Sequence, residues 1–190
     1  MRVISGKARG RRLKAAQGLD IRPTADRVKE NIFNMLAPLL PGCRFLDLFG
    51  GTGAIGIEAL SRGAGFVEFV DSSPIAVDTI IHNLSAAKLT EGTRVLCIDF
   101  RLALKRFSRE GCKFDVIFLD PPYQTAFVSE SLDLITECAL LKNNGCVVVE
   151  TESTGKKSGA EITSPGFEVY KYRNYGSVSI MFLRTVISCQ

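Results

Sequence analysis

Apolar and polar positions along this chain follow two alternating periods, which predict β-strands and α-helices in turn. Short apolar runs of the kind found in buried strands occupy 45–49, 66–71, 93–98, 114–119 and 145–150. Apolar residues at helical spacing follow the first four runs, over 54–63, 74–87, 100–109 and 128–141. Two alternating segments, 167–173 and 177–184, flank a turn at 174–176 and predict a hairpin. This order predicts an α/β fold with a seven-stranded, mostly parallel sheet and an antiparallel C-terminal hairpin.

The first 40 residues predict two further elements. Segments 2–5 and 11–14 flank a turn and predict a small β-hairpin. A helix is expected to begin at Thr24 or Ala25 and to be ended by Pro38 and Pro41. Its apolar stripe consists of Val28, Ile32, Phe33, Leu36 and Leu40.

In the later helix 74–87, the residues expected to face inward are Ile75, Val77, Ile80, Ile81 and Leu84. We expect a basic hairpin extension over 1–20 and one larger domain over 21–190.

The segment 44–63 carries the clearest indication of a ligand. A strand, a glycine-rich turn and a helix follow one another, which is how a nucleotide-binding βαβ unit begins. The glycines of this turn are Gly50, Gly51, Gly53 and Gly56. Glycine permits positive φ and lets a ligand approach the backbone closely. Residues 51–56 fit G-x-G-x-x-G, and Asp71 stands where a dinucleotide fold has its ribose-binding acid. A glycine-rich turn that binds no ligand is an alternative interpretation.

Asp47 distinguishes between the possible ligands. The sequence D-L-F-G-G-T-G at 47–53 resembles the acidic, glycine-rich first motif of S-adenosylmethionine-dependent methyltransferases. A carboxylate directly before the loop would repel a pyrophosphate but attract the cationic amino-acid end of S-adenosylmethionine. Asp71 would then accept from the ribose hydroxyls, or else cap the next helix. Asp99 would accept from the adenine amine, with the same alternative. The candidate cofactor residues are Asp47, Phe49, Gly51, Gly53, Asp71, Asp99 and Phe100.

The motif Asp120-Pro121-Pro122-Tyr123 follows the fourth strand and supplies the candidate catalytic residues. Prolines fix φ and lack an N–H donor, so their carbonyls can only accept. An acid beside acceptor carbonyls suits a planar exocyclic amine, and Tyr123 offers a ring for stacking on a base. Hydrogen bonds from the amine to Asp120 and to the Pro121 carbonyl would orient the nitrogen and stabilise its developing positive charge. A rigid turn without a ligand is the alternative interpretation.

Charge is distributed unevenly, although the net charge is only +4. Residues 1–14 contain six basic side chains and no acidic one. Such a block suits contacts with nucleic-acid phosphates, and a solvated arm is the alternative. The candidate RNA-binding residues are Arg2, Lys7, Arg9, Arg11, Arg12, Arg22 and Arg27.

The composition favours a globular protein without membrane or metal chemistry. Hydrophobic residues make up 46% and charged residues 23%, and no apolar run is long enough to span a membrane. The N-terminus lacks the apolar stretch of a secretory signal. The six cysteines include no C-x-x-C pair, so we expect reduced thiols and no metal site. We expect Cys97 and Cys146 to lie in the core and His82 to face solvent.

Taken together, the motifs resemble the RsmD family, the bacterial 16S ribosomal RNA guanine-N2 methyltransferases. The matching segments are MRVISGKARGRRLK, IRPTADRVKENIFNML, FLDLFGGTGAIGIEALSRGA and FLDPPY, which extend over the N-terminal two thirds of the chain. The resemblance implies a Rossmann-like class I methyltransferase fold, S-adenosylmethionine as cofactor and no metal. It also implies a cytoplasmic enzyme that methylates one guanine of the small subunit, in free 16S rRNA or in 30S particles.

Three other functions remain compatible with the residues. An adenine-N6 methyltransferase acting on DNA or RNA would use the D-P-P-Y motif equally well. A dinucleotide-dependent oxidoreductase would have the same glycine pattern, although Asp47 and the D-P-P-Y motif argue against it. A non-catalytic RNA-binding module would keep the fold, and the intact Asp120 argues against that.

Overall fold

A computed structural model of the 190-residue chain describes residues 1–15, 26–122, 125–153 and 166–186. The helices are α1 (Asp26–Leu36), α2 (Ala54–Ser61), α3 (Pro74–Ala87), α4 (Phe100–Arg109) and α5 (Thr125–Glu137), with a 3-10 turn at Ala37–Leu39. The strands are β1 (Arg44–Asp47), β2 (Phe66–Asp71), β3 (Thr93–Cys97), β4 (Phe114–Leu119), β5 (Leu141–Glu152), β6 (Phe167–Asn174) and β7 (Val178–Thr185).

The seven strands form a mixed sheet in the order β3-β2-β1-β4-β5-β7-β6. The pairs β1–β2, β2–β3 and β4–β5 are parallel. Strand β7 pairs antiparallel with both β5 and β6. Parallel neighbours require a crossover, which the intervening helices supply, whereas β6 and β7 need only a short turn. The predicted fold class, including the antiparallel C-terminal hairpin, is confirmed.

The first compact unit, Met1–Phe100, contains α1 to α3 and β1 to β3. Every residue of the predicted α1 stripe is buried. Phe33 stacks on Phe45 of β1, with ring centroids 6.5 Å apart. Full burial of such a side chain stabilises the folded state by about 1.5–3 kcal/mol. The helix ends at Leu36, two residues before Pro38, as expected for a helix stopped by proline.

The inner face of α3 differs from the prediction. Ile80 and Leu84 are buried as expected, but Ile75 and Ile81 are 55% and 52% exposed. A helix buries only one stripe of its surface, and in α3 this stripe includes the polar Asn83. Val77 is half-buried, and Ile75 and Ile81 lie outside the stripe, so the prediction that these two isoleucines face inward is wrong.

The predicted burial of Cys97 is also wrong, because this residue is exposed. It is the last residue of β3, which is an edge strand of the sheet. Cys146 lies on β5 and is buried, as predicted. His82 is exposed, as predicted.

The second compact unit, Arg101–Gln190, contains β4 to β7 with α5. Helix α5 ends at Glu137 rather than at 141, and β5 begins at Leu141 rather than at 145. Ala139 adopts the left-handed conformation, with φ of 47°, which terminates the helix. Strand β5 also extends to Glu152, because Glu152 pairs with Val178 of β7.

Residues 1–15 contain the predicted hairpin in a reduced form. One antiparallel bridge joins Arg2 to Arg12, and the Leu13 N–H donates to the Met1 carbonyl at 3.0 Å. The hairpin packs closely on α2, since a Cβ added to Gly6 would lie 1.8 Å from the Ser61 carbonyl oxygen. The hairpin therefore belongs to the first unit. The division between 1–20 and 21–190 stays a prediction, and its boundary falls outside the described residues.

Candidate active site

The glycine loop, defined here as residues 50–53, connects β1 to α2. Gly51 and Gly53 have φ of 54° and 74°, the left-handed region that favours glycine. The Gly50 N–H donates to the Val70 carbonyl at 2.8 Å, and the Gly53 N–H donates to the Gly50 carbonyl at 2.7 Å. These bonds hold the loop in a tight turn beside the end of β2 and start α2 immediately after Gly53.

Gly56 has a packing role that differs from ligand binding. A Cβ at this position would lie 2.2 Å from the Phe69 ring, so the missing side chain lets α2 approach β2 closely. This is the role of the third glycine in dinucleotide-binding folds. Close approach of a ligand therefore stays a prediction for Gly51 and Gly53.

Asp47 lies at the end of β1 and is only 2% exposed. Its Oδ2 accepts a hydrogen bond from the Gly56 N–H at 3.0 Å, in the first turn of α2. Burial raises the pKa of Asp47 to about 7, the Gly56 bond opposes this shift, and the charge of Asp71 adds to it. A cation placed next to this carboxyl would favour its ionised form.

Asp71 supports the glycine loop. Its Oδ2 accepts from the Gly51 N–H at 2.8 Å, and its Oδ1 accepts from the Ser73 N–H at 2.9 Å. Ser73 is the residue that caps α3, because its hydroxyl accepts from the Ala76 N–H. The alternative in which Asp71 itself caps α3 is therefore wrong. Each carboxylate oxygen can accept more than one hydrogen bond, so Asp71 keeps capacity for a ribose diol.

Asp99 and Phe100 follow β3, at the start of α4. Asp99 is half-buried, whereas Phe100 is buried against Phe49, with ring centroids 5.2 Å apart. All seven candidate cofactor residues thus lie at the carboxyl ends of β1, β2 and β3 or directly after them, in one unit. A buried acid, a carboxylate at a glycine loop and an aromatic pair match the cationic, ribose and adenine parts of S-adenosylmethionine, so the residues fit this cofactor.

The candidate catalytic motif lies in the second unit. Asp120 directly follows β4, whose last residues Phe118 and Leu119 are buried. Asp120 and Pro121 are half-buried and Pro122 is exposed. A buried strand therefore holds the motif at its carboxyl end. Tyr123 lies outside the described residues.

All candidate RNA-binding residues that the structure describes are exposed to solvent. The exposed members are Arg2, Lys7, Arg9, Arg11, Arg12 and Arg27. Arg2 forms an ion pair with Asp26 at 2.9 Å, and the prediction for Arg22 falls outside the described residues. The hairpin thus presents its cations to solvent, and their role in RNA binding stays a prediction.

Buried charges that the sequence analysis did not identify hold the hairpin on α2. Glu58 is fully buried and accepts from the backbone N–H groups of Ile4 and Ser5 at 2.7 and 3.0 Å. The Lys29 Nζ lies 3.6 Å from Glu58 and donates to the Arg2 carbonyl at 2.6 Å. Burial lowers the pKa of Lys29, and the charge of Glu58 opposes this shift. The sequence signal for Glu58 is a charged residue within the apolar stretch 55–60.

Asn83 is a second buried residue that was missed. It is fully buried on α3 and bonds to the backbone of Lys14 and of Thr52. Its sequence signal is an amide inside the apolar stripe of a helix, three residues after Ile80.

The described residues include no group of three or more His, Cys, Asp and Glu side chains that could hold a metal ion. Within the same ranges, no helix has both the length and the apolar character needed to cross a membrane.

Comparison with known proteins identifies the relatives of the chain. The family model described as "Conserved hypothetical protein 95" matches residues 1–184. The "Putative rRNA methyltransferase YlbH" of Bacillus subtilis is 46% identical over 150 residues, which are 79% of this chain and 82% of the relative. The "Ribosomal RNA small subunit methyltransferase D" of Haemophilus influenzae is 34% identical over 179 residues, or 94% and 91%. The solved structure "Putative methyltransferase yhhF from Escherichia coli" shares 30% identity and a TM-score of 0.83, with 97% of each chain covered.

The sheet order, the glycine loop and these similarities define a methyltransferase with a Rossmann-like fold. The alternative function of a dinucleotide-dependent oxidoreductase is therefore wrong. The chain belongs to the family described as Conserved hypothetical protein 95, which is the RsmD family that its motifs resemble.

Proposed function

We propose that this protein transfers a methyl group from S-adenosylmethionine to the N2 exocyclic amine of a guanine in 16S ribosomal RNA. The observation that carries the proposal is the motif Asp120-Pro121-Pro122-Tyr123, directly after buried strand β4, in a chain of the RsmD family. The Haemophilus influenzae relative is named as a methyltransferase of small-subunit ribosomal RNA, which supports the same substrate class.

The first unit would hold the cofactor through residues at the ends of its strands. Asp47, Gly51 and Gly53 would surround the amino-acid end, and the carboxylate of Asp71 would accept from the ribose hydroxyls. Asp99 would accept from the adenine amine, next to the rings of Phe49 and Phe100. When bound, S-adenosylmethionine would supply the methyl group, carried on a positively charged sulfur that becomes neutral when the methyl is given to the amine.

Asp120 would act on the target amine. Its carboxylate and the Pro121 carbonyl would accept the two N–H groups and fix the direction of the nitrogen. As the new carbon–nitrogen bond forms, the nitrogen becomes positively charged, and the carboxylate stabilises this charge. After methyl transfer, one N–H proton of the methylated amine would pass to water. Tyr123 would stack on the base.

The hairpin would bind the RNA backbone. Its exposed arginines and lysines, together with Arg22 and Arg27, supply positive charge for phosphate contacts. The proposed substrate is the 16S rRNA within 30S particles or their assembly intermediates, which locates the reaction in the cytoplasm.

The function is tested by methyl transfer from labelled S-adenosylmethionine into 16S rRNA, either free or in 30S particles lacking the modification. We expect label in N2-methylguanosine after digestion to nucleosides, and label incorporation that is slower by about 10²–10³ with the Asp120→Ala variant. Label in N6-methyladenosine would instead identify an adenine methyltransferase. Absence of label from both free RNA and particles would overturn the proposal.

A further inference from the structure

Asn83 connects the N-terminal hairpin to the glycine loop. Its Oδ1 accepts from the Lys14 N–H at 2.7 Å. Its Nδ2 donates to the Lys14 carbonyl at 3.0 Å and to the Thr52 carbonyl at 2.9 Å. Thr52 lies in the glycine loop between Gly51 and Gly53. One fully buried side chain therefore bonds both the end of the hairpin and the middle of the loop.

The pattern of donors and acceptors requires an amide at this position. Asparagine offers one acceptor and two donor hydrogens, and the Lys14 N–H and the two carbonyls use both kinds of group. These partners also determine which end of the amide is oxygen, since an N–H cannot face the nitrogen end. An apolar side chain would suit the buried stripe of α3, but it would leave these backbone groups without a partner.

The hairpin and the loop also meet through α2. This helix begins directly after Gly53, and near its other end Ser61 accepts from the hairpin backbone. The Lys7 N–H donates to the Ser61 carbonyl at 2.8 Å, and the Ala8 N–H donates to its Oγ at 2.9 Å. The hairpin is thus held by α2 at one end and by Asn83 at the other, and Asn83 alone among these side chains also bonds the loop backbone.

We propose that Asn83 is a positioning residue that couples RNA binding at the hairpin to cofactor binding at the glycine loop. The inference rests on the proposed function, in which the hairpin contacts RNA and the loop holds S-adenosylmethionine. A cofactor that orders Thr52 also orders Lys14 through Asn83, so the RNA then meets a hairpin that has already lost its freedom of movement. By linkage, each ligand tightens the binding of the other by the same factor.

The coupling is measured with S-adenosylhomocysteine, which cannot donate a methyl group, and an unmodified 16S rRNA transcript. The dissociation constant of S-adenosylhomocysteine is determined by calorimetry with and without saturating RNA. For the unmutated protein we expect RNA to tighten this binding by roughly five-fold or more. The ratio of the dissociation constant without RNA to that with RNA measures the coupling. In Asn83→Ala and Asn83→Asp, which lack the donor to Thr52, we expect this ratio to fall toward one.

Two control variants separate this role from general destabilisation. Glu68→Gln alters another fully buried side chain of the first unit, which pairs with Arg44 and Arg94 and bonds neither hairpin nor loop. Ser61→Ala weakens the attachment of the hairpin to α2 and leaves Asn83 in place. Both should keep the ratio of the unmutated protein. A ratio that falls equally in Ser61→Ala would show that hairpin attachment in general, and not Asn83, carries the coupling.

Hydrogen exchange provides a readout that needs no RNA. We expect S-adenosylhomocysteine to slow exchange of the Lys14 amide in the unmutated protein and to leave it unchanged in Asn83→Ala. Two results in the unmutated protein would overturn the inference even if rRNA is methylated. One is Lys14 exchange that S-adenosylhomocysteine does not slow, and the other is an affinity for S-adenosylhomocysteine that RNA does not change. Failure of methyl transfer with slowed Lys14 exchange would instead overturn the proposed substrate and leave the hairpin–loop link supported.

Discussion

At the scale of single residues, Asp71 combines a structural contact with a proposed ligand contact. The same carboxylate that would receive the ribose already accepts from the Gly51 and Ser73 N–H groups. The sequence predicted an acid at the end of β2, but it could not show that this acid supports the glycine loop. The reason is that Gly51 and Asp71 are 20 positions apart and meet only when β1 and β2 pair.

Asp71→Ala should weaken binding of S-adenosylmethionine, because both the ribose hydroxyls and the Gly51 N–H lose an acceptor. Loss of hydrogen bonds to a charged group costs about 1.5–3 kcal/mol, and calorimetry measures this difference directly. Asp71→Asn should lose less, since one oxygen remains. Asp78→Ala removes an exposed acid of α3 and serves as the charge-matched control. Unchanged affinity in a folded Asp71→Ala protein would exclude the ribose contact.

Asp120→Ala should abolish most methyl transfer while leaving cofactor affinity nearly unchanged, because Asp120 is proposed to act on the amine. Removing one preorganised polar contact to a developing charge lowers the rate by about 10²–10³. Asp120→Asn should be milder, because its carbonyl can still accept one hydrogen bond. Asp115→Ala on the same strand, where Asp115 pairs with Lys142, is the control for a lost acid. Single-turnover rates equal to those of the unmutated protein would reduce the motif to a structural turn.

Tyr123 is expected to act through its ring. Tyr123→Phe should retain most activity, whereas Tyr123→Ala should lose it, because stacking of an aromatic ring on a base contributes about 1–3 kcal/mol. Comparison of KM for RNA and kcat in the two variants checks this role. Equal loss in both variants would assign the function to the hydroxyl group instead.

At the scale of elements, two basic segments of the chain invite comparison. The hairpin is predicted to bind RNA because residues 1–14 contain six basic side chains and no acidic one. Helix α4 exposes Lys105, Arg106 and Arg109 as well, and Arg106 forms an ion pair with Glu110 at 2.7 Å. Net charge alone does not distinguish a phosphate-binding segment from a solvated helix face, so the two segments form a matched pair for a test.

Charge reversal of Arg9, Arg11 and Arg12 together should weaken RNA binding and reduce its dependence on salt. Each lost phosphate contact should lower the salt slope by about 0.7–0.9, while affinity for the cofactor stays the same. The slope is obtained from binding isotherms over a range of salt concentrations.

Reversal of Lys105, Arg106 and Arg109 changes the net charge equally and controls for long-range repulsion. We expect a smaller change in slope from this second variant. Equal changes in both would mean that overall charge, and not the hairpin, governs RNA binding.

At the scale of the whole molecule, the buried Asp47 makes stability depend on pH. Its pKa is raised from 3.8 in an exposed setting to about 7, so the folded state binds its proton more tightly than the unfolded state. The contribution of Asp47 to stability is therefore greatest below pH 3.8 and falls as the pH rises toward about 7. The loss is at most about 1.4 kcal/mol per pH unit within this window.

Asp47→Asn should remove this dependence, because an amide can accept from the Gly56 N–H without carrying a charge. Urea unfolding at about pH 5 and about pH 8 measures the difference in free energy between variant and unmutated protein. We expect the variant to gain stability relative to the unmutated protein as pH rises. A difference that is constant with pH would show that the Asp47 carboxyl titrates as it does in the unfolded chain.

The sequence by itself determined the order and type of the elements, the glycine loop, the D-P-P-Y motif and the basic hairpin. These features are local: periodicity, turn-forming residues and charge runs act within a few positions of one another. Even so, the sequence placed the boundary between α5 and β5 four residues too late, because a left-handed Ala139 is not signalled by its residue type.

The tertiary structure alone decided which faces meet. The burial of α3 around Asn83 rather than around Ile75 and Ile81 depends on how the helix lies against its neighbours. Asn83 bonds to Lys14, which is 69 positions away in the sequence, and to Thr52, which is 31 positions away. No local pattern specifies such partners. A buried polar side chain is tolerated only when distant backbone groups complete its hydrogen bonds, and their positions exist only in the folded chain.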